Sequence, residues 1–237
     1  MFKIYSFLLL LISSISIHAA PIFSSGDIKF TGDAYISTLS DTETKGIGRI
    51  ITITQGDTIL WASDNSGNFI NFVFGNYTPV ISPTSPVFNY QAANGYVDFY
   101  LNSNNTFNTL LGVDQAMSAI KTGNLLLSSI GNGSTVGIST SVSYSANGFL
   151  DVTGGLFSWL LDMDGRPTFT SGVFADLSFG LVGTDNHSSL VSKDYQYIAS
   201  ADMQGSTSIS QVPLPSAIWP MLVGFVGLLQ VSKHNKA

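Results

Sequence analysis

Residues 50–62 decide the reading of the fold: Ile50-Ile51-Thr52-Ile53-Thr54, then Gln55-Gly56-Asp57, then Thr58-Ile59-Leu60-Trp61-Ala62. Two runs rich in β-branched residues flank a short polar link with a glycine in it, which is the pattern of a β-hairpin. Working outward, residues 27–37 set Ile28, Phe30, Ala34 and Ile36 against polar neighbours, and residues 68–75 alternate Ile70, Phe72 and Phe74 with Phe69, Asn71 and Val73. Further strand-length runs lie at 95–101, 135–144, 149–152, 156–161, 173–182 and 195–209, separated by Asn, Gly, Ser and Pro. This spacing predicts an all-β chain, an antiparallel β-sandwich or jelly-roll-like domain. One helix is predicted over 113–121, with Asp114 as its cap and Thr122-Gly123 as its stop. Residues 79–86, with Pro79, Pro83 and Pro86, read as a long loop. No repeat and no internal domain boundary is visible.

Composition supports strands over helices. Charged residues make up 10% of the 237, and a single glutamate, Glu43, stands against fourteen aspartates. Helix surfaces favour Glu, Lys, Gln and Arg, whereas Thr, Ser, Asn and Gly suit strands and turns. Residues 20–211 carry six basic and fifteen acidic side chains, a net charge of −9. Such a surface offers no basic track for a phosphate backbone, so nucleic acid is not an expected partner. With no cysteine, a structural disulfide, a thiolate zinc site and a cysteine nucleophile are all excluded.

Both ends read as targeting segments. Lys3 precedes an apolar run over 4–12, and small residues lead to His18-Ala19-Ala20-Pro21, the parts of a secretory signal peptide over residues 1–19. Cleavage is expected between Ala19 and Ala20, because a cut after Ala20 would place Pro21 at the scissile bond. At the other end Val212-Pro213-Leu214-Pro215-Ser216 forces an extended stretch. An apolar run over 217–231 follows, and as a helix it would be about 22 Å long. That is short for a hydrocarbon core of about 30 Å. Trp219 suits the outer interface, and Lys233 and Lys236 form a cytoplasmic stop. The layout is therefore leader, exported β-rich domain (20–211) and C-terminal segment (212–237).

The motif Val212-Pro213-Leu214-Pro215, the apolar stretch and the basic tail together resemble the PEP-CTERM sorting signals of Gram-negative bacteria, in the variant built on VPLPA. This chain departs from that pattern in having Ser216 for the alanine, Pro220 inside the apolar stretch and a weakly basic tail. The resemblance covers residues 212–237 only. It implies signal peptidase and an exosortase as processing partners, transient residence in the inner membrane, and delivery to the cell surface or an exopolysaccharide matrix, as in a biofilm.

His187 lies in the loop Asp185-Asn186-His187-Ser188-Ser189, and no Gly-x-Ser-x-Gly elbow accompanies it, so an exposed loop histidine is the expectation. Asp162-Met163-Asp164-Gly165 begins like a Ca²⁺ loop, but Arg166-Pro167 follow and Val173 falls where the closing acid belongs. A turn is expected there, with Ca²⁺ left open through Asp176 or Asp185. A carboxylate pair for glycoside hydrolysis lacks an obvious acid, since Glu43 sits in the charged run Asp41-Thr42-Glu43-Thr44-Lys45. Trp61 and Trp159 could stack on sugars, although Trp159 within Leu156-Phe157-Ser158-Trp159-Leu160-Leu161 reads as buried core. The expectation is a non-enzymatic surface or matrix protein without cofactor. A carbohydrate-binding module is the alternative, and a surface hydrolase stands third. Replacing Ala19 with Phe should leave uncut precursor, and N-terminal sequencing of the exported wild type should begin at Ala20.

Overall fold

The computed structural model describes residues 26–40, 43–63, 67–80, 87–91, 95–140, 142–162 and 175–207. Among the described residues, ten strands run in chain order: β1 (Gly26–Ser40), β2 (Glu43–Gln55), β3 (Thr58–Ala62), β4 (Phe69–Val80), β5 (Val87–Gln91), β6 (Tyr96–Asn102), β7 (Asn124–Ser139), β8 (Ser143–Gly154), β9 (Leu177–Asp185) and β10 (Tyr197–Thr207). Two short helices join them, α1 (Val113–Ile120) and α2 (Ser158–Leu161).

Every pairing is antiparallel, and the strands close on themselves in the order β1-β2-β4-β6-β7-β8-β9-β10-β1. The fold is a closed eight-stranded barrel, which overturns the predicted sandwich or jelly roll while keeping the all-β class. Closure depends on long strands that divide one edge between two neighbours. β2 pairs β4 through Thr44–Arg49 and β3 through Thr52–Gln55, while β7 pairs β6 with its first half and β5 with its second. Alternation in sequence shows only which face of a strand is apolar. It is the same whether that face meets a second sheet or the far wall of its own.

The inward faces carry Ile28, Phe30, Ala34 and Ile36 from β1, Phe72 and Phe74 from β4, Val97 and Phe99 from β6, Leu150 and Val152 from β8, Phe179 and Leu181 from β9, and Ala199, Ala201 and Met203 from β10. Rings pack through the axis, with Phe30–Phe99, Phe72–Phe99 and Tyr77–Phe179 centroids 6.0, 5.7 and 5.9 Å apart. Inward glycines face them: a Cβ at Gly46 or Gly48 would run into the rings of Phe74 or Phe72, and one at Gly148 would sit 2.8 Å from Phe179. Among the described residues, small voids of about 50, 20 and 10 Å³ lie inside. Eight strands enclose a space that side chains can fill, and here they do. The outer wall bears Lys29, Asp33, Arg49, Asp151 and Asp202, the reverse of the polarity of a membrane-spanning barrel.

A second apolar cluster lies outside the wall. α1 lays Val113, Ala116, Met117 and Ile120 over Ile47 of β2 and Val73 of β4, joined by Tyr195. Asn71 Nδ2 donates to Asn102 Oδ1 at 3.1 Å, and Asn102 Nδ2 donates to the Ile120 carbonyl at 3.1 Å, so a buried amide pair pins the end of the helix. The helix and its stop lie where predicted, with Thr122 Oγ1 on the Ala119 carbonyl and Gly123 N on that of Ile120. Asp114 is not its cap. Gly112 holds that position, and Asp114 instead accepts from Lys45 Nζ at 2.6 Å.

Three predicted segments are corrected. Residues 156–161 form the turn and helix α2 rather than a strand, since Gly155, at φ +100°, breaks the chain direction after β8. β7 begins at Asn124, not 135, because its Gly131-to-Ser134 interruption is absorbed by an irregularity against β8 rather than ending the strand. β4 runs on to Val80, into the stretch read as a loop, of which residues 81–86 lie outside the described residues. The Gln55-Gly56-Asp57 hairpin link is as predicted, with Gly56 at φ +55°.

Gly48→Ala should destabilise the fold by about 1–3 kcal/mol, the usual cost of forcing extra volume into a filled core. Phe72→Leu in the same chain should recover part of that loss, and urea unfolding of the two variants and their combination would measure the coupling.

Candidate functional site

The catalytic options weighed in the sequence do not assemble. His187 lies at the surface with its Nε2 3.3 Å from Asp185 Oδ2, while Ser188 Oγ accepts from the Leu190 amide and faces no imidazole. Glu43 and Asp114 flank Lys45 at 4.0 and 2.6 Å, so a cation separates the two carboxylates instead of a scissile bond. Glu43 also accepts from the Asn76 amide at 2.9 Å and so holds Asn76 at φ 60°. That kink shifts the inward register of β4, and Tyr77 rather than Asn76 enters the barrel.

Asp162 is exposed after α2, and Asp164 lies outside the described residues. Asp176 is buried, and its Oδ2 accepts the Val152 amide at 2.8 Å, tying the start of β9 to β8. Among the described residues no group of three or more His, Cys, Asp or Glu side chains is placed to hold a metal ion. The cleavage pair Ala19 and Ala20, the motif Val212, Pro213, Leu214 and Pro215, and the stop residues Trp219, Lys233 and Lys236 all lie outside the described residues.

What the barrel does present is a groove on its outer wall. β-Register sets Val136, Asn147, Gly180 and Asp202 in one row across β7, β8, β9 and β10, and Phe149, Ser178 and Gln204 in the next. Gly180 has no side chain, so the rows part over it and leave an open hollow of about 410 Å³ lined by these residues. Phe149 and Val136 supply apolar surface, Asn147 and Gln204 supply amides, Ser178 a hydroxyl, and Asp202 a carboxylate 3.2 Å from Lys29 Nζ. Amides offer donors and acceptors together, so the hollow can meet a ligand dense in hydroxyls. These residues escaped the sequence reading because they come from four strands. The trace they leave in sequence is the polar alternation Asn147-x-Phe149 and Asp202-x-Gln204.

Elsewhere on the wall, Tyr96, Asp98 and Tyr100 line the outward face of β6, all half-buried, with the two tyrosines packed against the α1 cluster. Burial raises the Asp98 carboxyl above its ordinary range, against the lowering effect of a 2.7 Å hydrogen bond from Ser128 Oγ and the charge of Lys121. Lys121 Nζ lies 5.2 Å from the Tyr96 ring centroid.

The tryptophans correct the sequence reading. Trp61 is half-buried against the core, but Trp159 is 59% exposed, because in α2 it points away from the face that buries Leu160 and Leu161. Behind α2 lies the 50 Å³ void, lined only by apolar side chains, Phe157, Leu160 and Leu161 among them.

No family model, characterised protein or solved structure matches this chain. Fold and surface define a closed, filled antiparallel barrel with an open polar hollow on its outer wall.

Proposed function

We propose that this chain is an exported, non-enzymatic surface or matrix protein, held briefly at the inner membrane by its C-terminal segment and released at the VPLP motif by an exosortase. The observation that carries this reading is the order Val212-Pro213-Leu214-Pro215, apolar run, Lys233 and Lys236, at the end of a chain that opens with a leader. The apolar run is poorly built for permanence: Pro220 removes a helix hydrogen bond, and Gly224 and Gly227 lower helix propensity. A filled barrel with a hydroxyl- and amide-rich wall suits a cargo that works outside the cell, where shape must persist without disulfides. Pro213→Ala with Pro215→Ala should accumulate uncut in the inner membrane, about 2–3 kDa heavier than the mature form at about 110 Da per residue for residues 212–237. Recovery of an intact Lys233–Ala237 tail from the surface fraction, with the double variant sorting normally, would leave an ordinary anchor as the better account.

The groove over Gly180 favours a second reading, a carbohydrate-binding module delivered by the same route. An aromatic ring beside paired amides meets both the apolar face and the hydroxyl edge of a sugar. Asp202, Asp151 and Asp27 on this side of the wall favour a neutral polysaccharide over an acidic one. Gly180→Gln fills the hollow at low structural cost, its Cβ meeting only Asn147 Oδ1 at 3.0 Å and the Asp202 carbonyl at 4.0 Å. It should abolish retention of residues 20–211 by the producer's exopolysaccharide while leaving Tm unchanged. Equal retention of both forms would remove the groove from the account.

A further inference from the structure

We infer that the end of the barrel closed by α2 rests on a lipid bilayer for as long as the C-terminal segment is attached, and lifts off when that segment is cut. The inference rests on the sorting reading above. It adds which face meets the membrane and why the contact is temporary.

Both ends of the described chain leave the barrel at this one rim, where Gly26 of β1 pairs with Thr207 of β10. Thr207 lies ten Cα–Cα steps from Ala217, the start of the apolar run, with nine residues between them. Fully extended they reach about 35 Å, so an inserted segment keeps this end, and not the opposite one, close to the lipid.

The same rim is the one that carries a contiguous apolar surface. Leu156, Phe157 and Trp159 are 64, 39 and 59% exposed. The Leu156 amide donates to the Leu125 carbonyl at 3.3 Å, which sets the exposed Leu125 beside them. Ile59 and Trp61 of β3 stand on the hairpin at the same end. Trp and Phe favour the boundary between headgroups and acyl chains, where the ring is buried and the indole N–H stays wet. Leu110, Val142 and Leu190 are as exposed elsewhere, but neither terminus of the described chain emerges beside them.

Charge identifies the kind of surface. Asp27, Asp57 and Asp162 lie around the α2 rim, so contact with anionic headgroups is opposed, and the occupant is a zwitterionic bilayer engaged through apolar burial. Five exposed side chains make a weak contact by themselves. A tether of nine residues turns it into an intramolecular one at millimolar effective concentration, which is enough to seat the barrel. Cleavage at the motif removes that advantage, and the contact no longer holds.

The chain has no cysteine, so single labelling sites can be introduced cleanly. Three variants of the chain from Ala20 to Ala237, Asp162→Cys, Trp219→Cys and Leu190→Cys, would carry an environment-sensitive dye in phosphatidylcholine vesicles with acyl-chain quenchers. Asp162 follows α2 directly, and it and Leu190 are both exposed, so neither exchange disturbs the core or removes Leu156, Phe157 or Trp159, and unchanged circular dichroism checks this. The dye at positions 162 and 219 should be quenched and blue-shifted while that at 190 is not, and an Asp162→Cys chain ending at Gln211 should lose the effect. Quenching at 219 without quenching at 162 overturns the docking inference and leaves the sorting reading intact. No quenching at 219 removes the membrane segment, and the inference falls with it. Equal quenching at 162 and 190, or quenching at 162 that survives truncation, overturns the named face or its dependence on the tether.

Discussion

Aromatic rings set against inward glycines are the constraint on which this barrel depends. Phe72 and Phe74 of β4 occupy the space that side chains at Gly48 and Gly46 of β2 would take, and Phe179 does the same over Gly148. Large and small residues alternate around the wall, so a narrow cylinder fills to its axis without forcing the strands apart. The close approach also keeps β2 and β4 within pairing distance, and that pair is the seam at which the sheet closes. Any residue larger than glycine at these positions opens the seam or tilts a ring.

A filled lumen leaves the outer wall as the surface open to solvent. The three voids inside are small, and two of them adjoin Tyr77, whose hydroxyl is buried without a hydrogen-bond partner and whose ionisation burial suppresses. Thr135 Oγ1, equally without a partner, lines the smallest void with it. These polar atoms tax the core and serve no visible exchange with solvent. The surface is where the chain has freedom. α1 is moored over β2 and β4 by the Asn71–Asn102 amide pair, the Gly180 hollow opens across four strands, and the α2 rim gathers apolar side chains at the end of the barrel where Gly26 and Thr207 lie.

Much of the strand pattern was legible because alternation and turn chemistry are local. The 55–58 hairpin link, the helix over α1 and its Thr122-Gly123 stop could be read from neighbours alone. Errors fell where a distant partner overruled local preference. Asp114 has the chemistry of a cap, yet the helix opens at Gly112, which leaves Asp114 in the first turn, where it pairs with Lys45, sixty-nine residues away. Trp159 sits in an apolar run that reads as core, but a single turn of helix buries Leu160 and Leu161 and leaves the indole outside. The interruption at Gly131 to Ser134 resembles a strand end, and only pairing to β8 on one side carries β7 through it.

By itself the sequence determined the all-β class, the absence of thiol chemistry and the acidity of the domain, because composition and local pattern suffice for each. Only the tertiary structure decided that the sheet closes on itself, that Asn147, Gly180 and Asp202 share one row, and that Gly26 and Thr207 lie at the rim that carries Trp159. Those are relations between residues far apart in sequence. They are settled by strand register and by how rings and glycines fill a shared interior, which no single strand specifies.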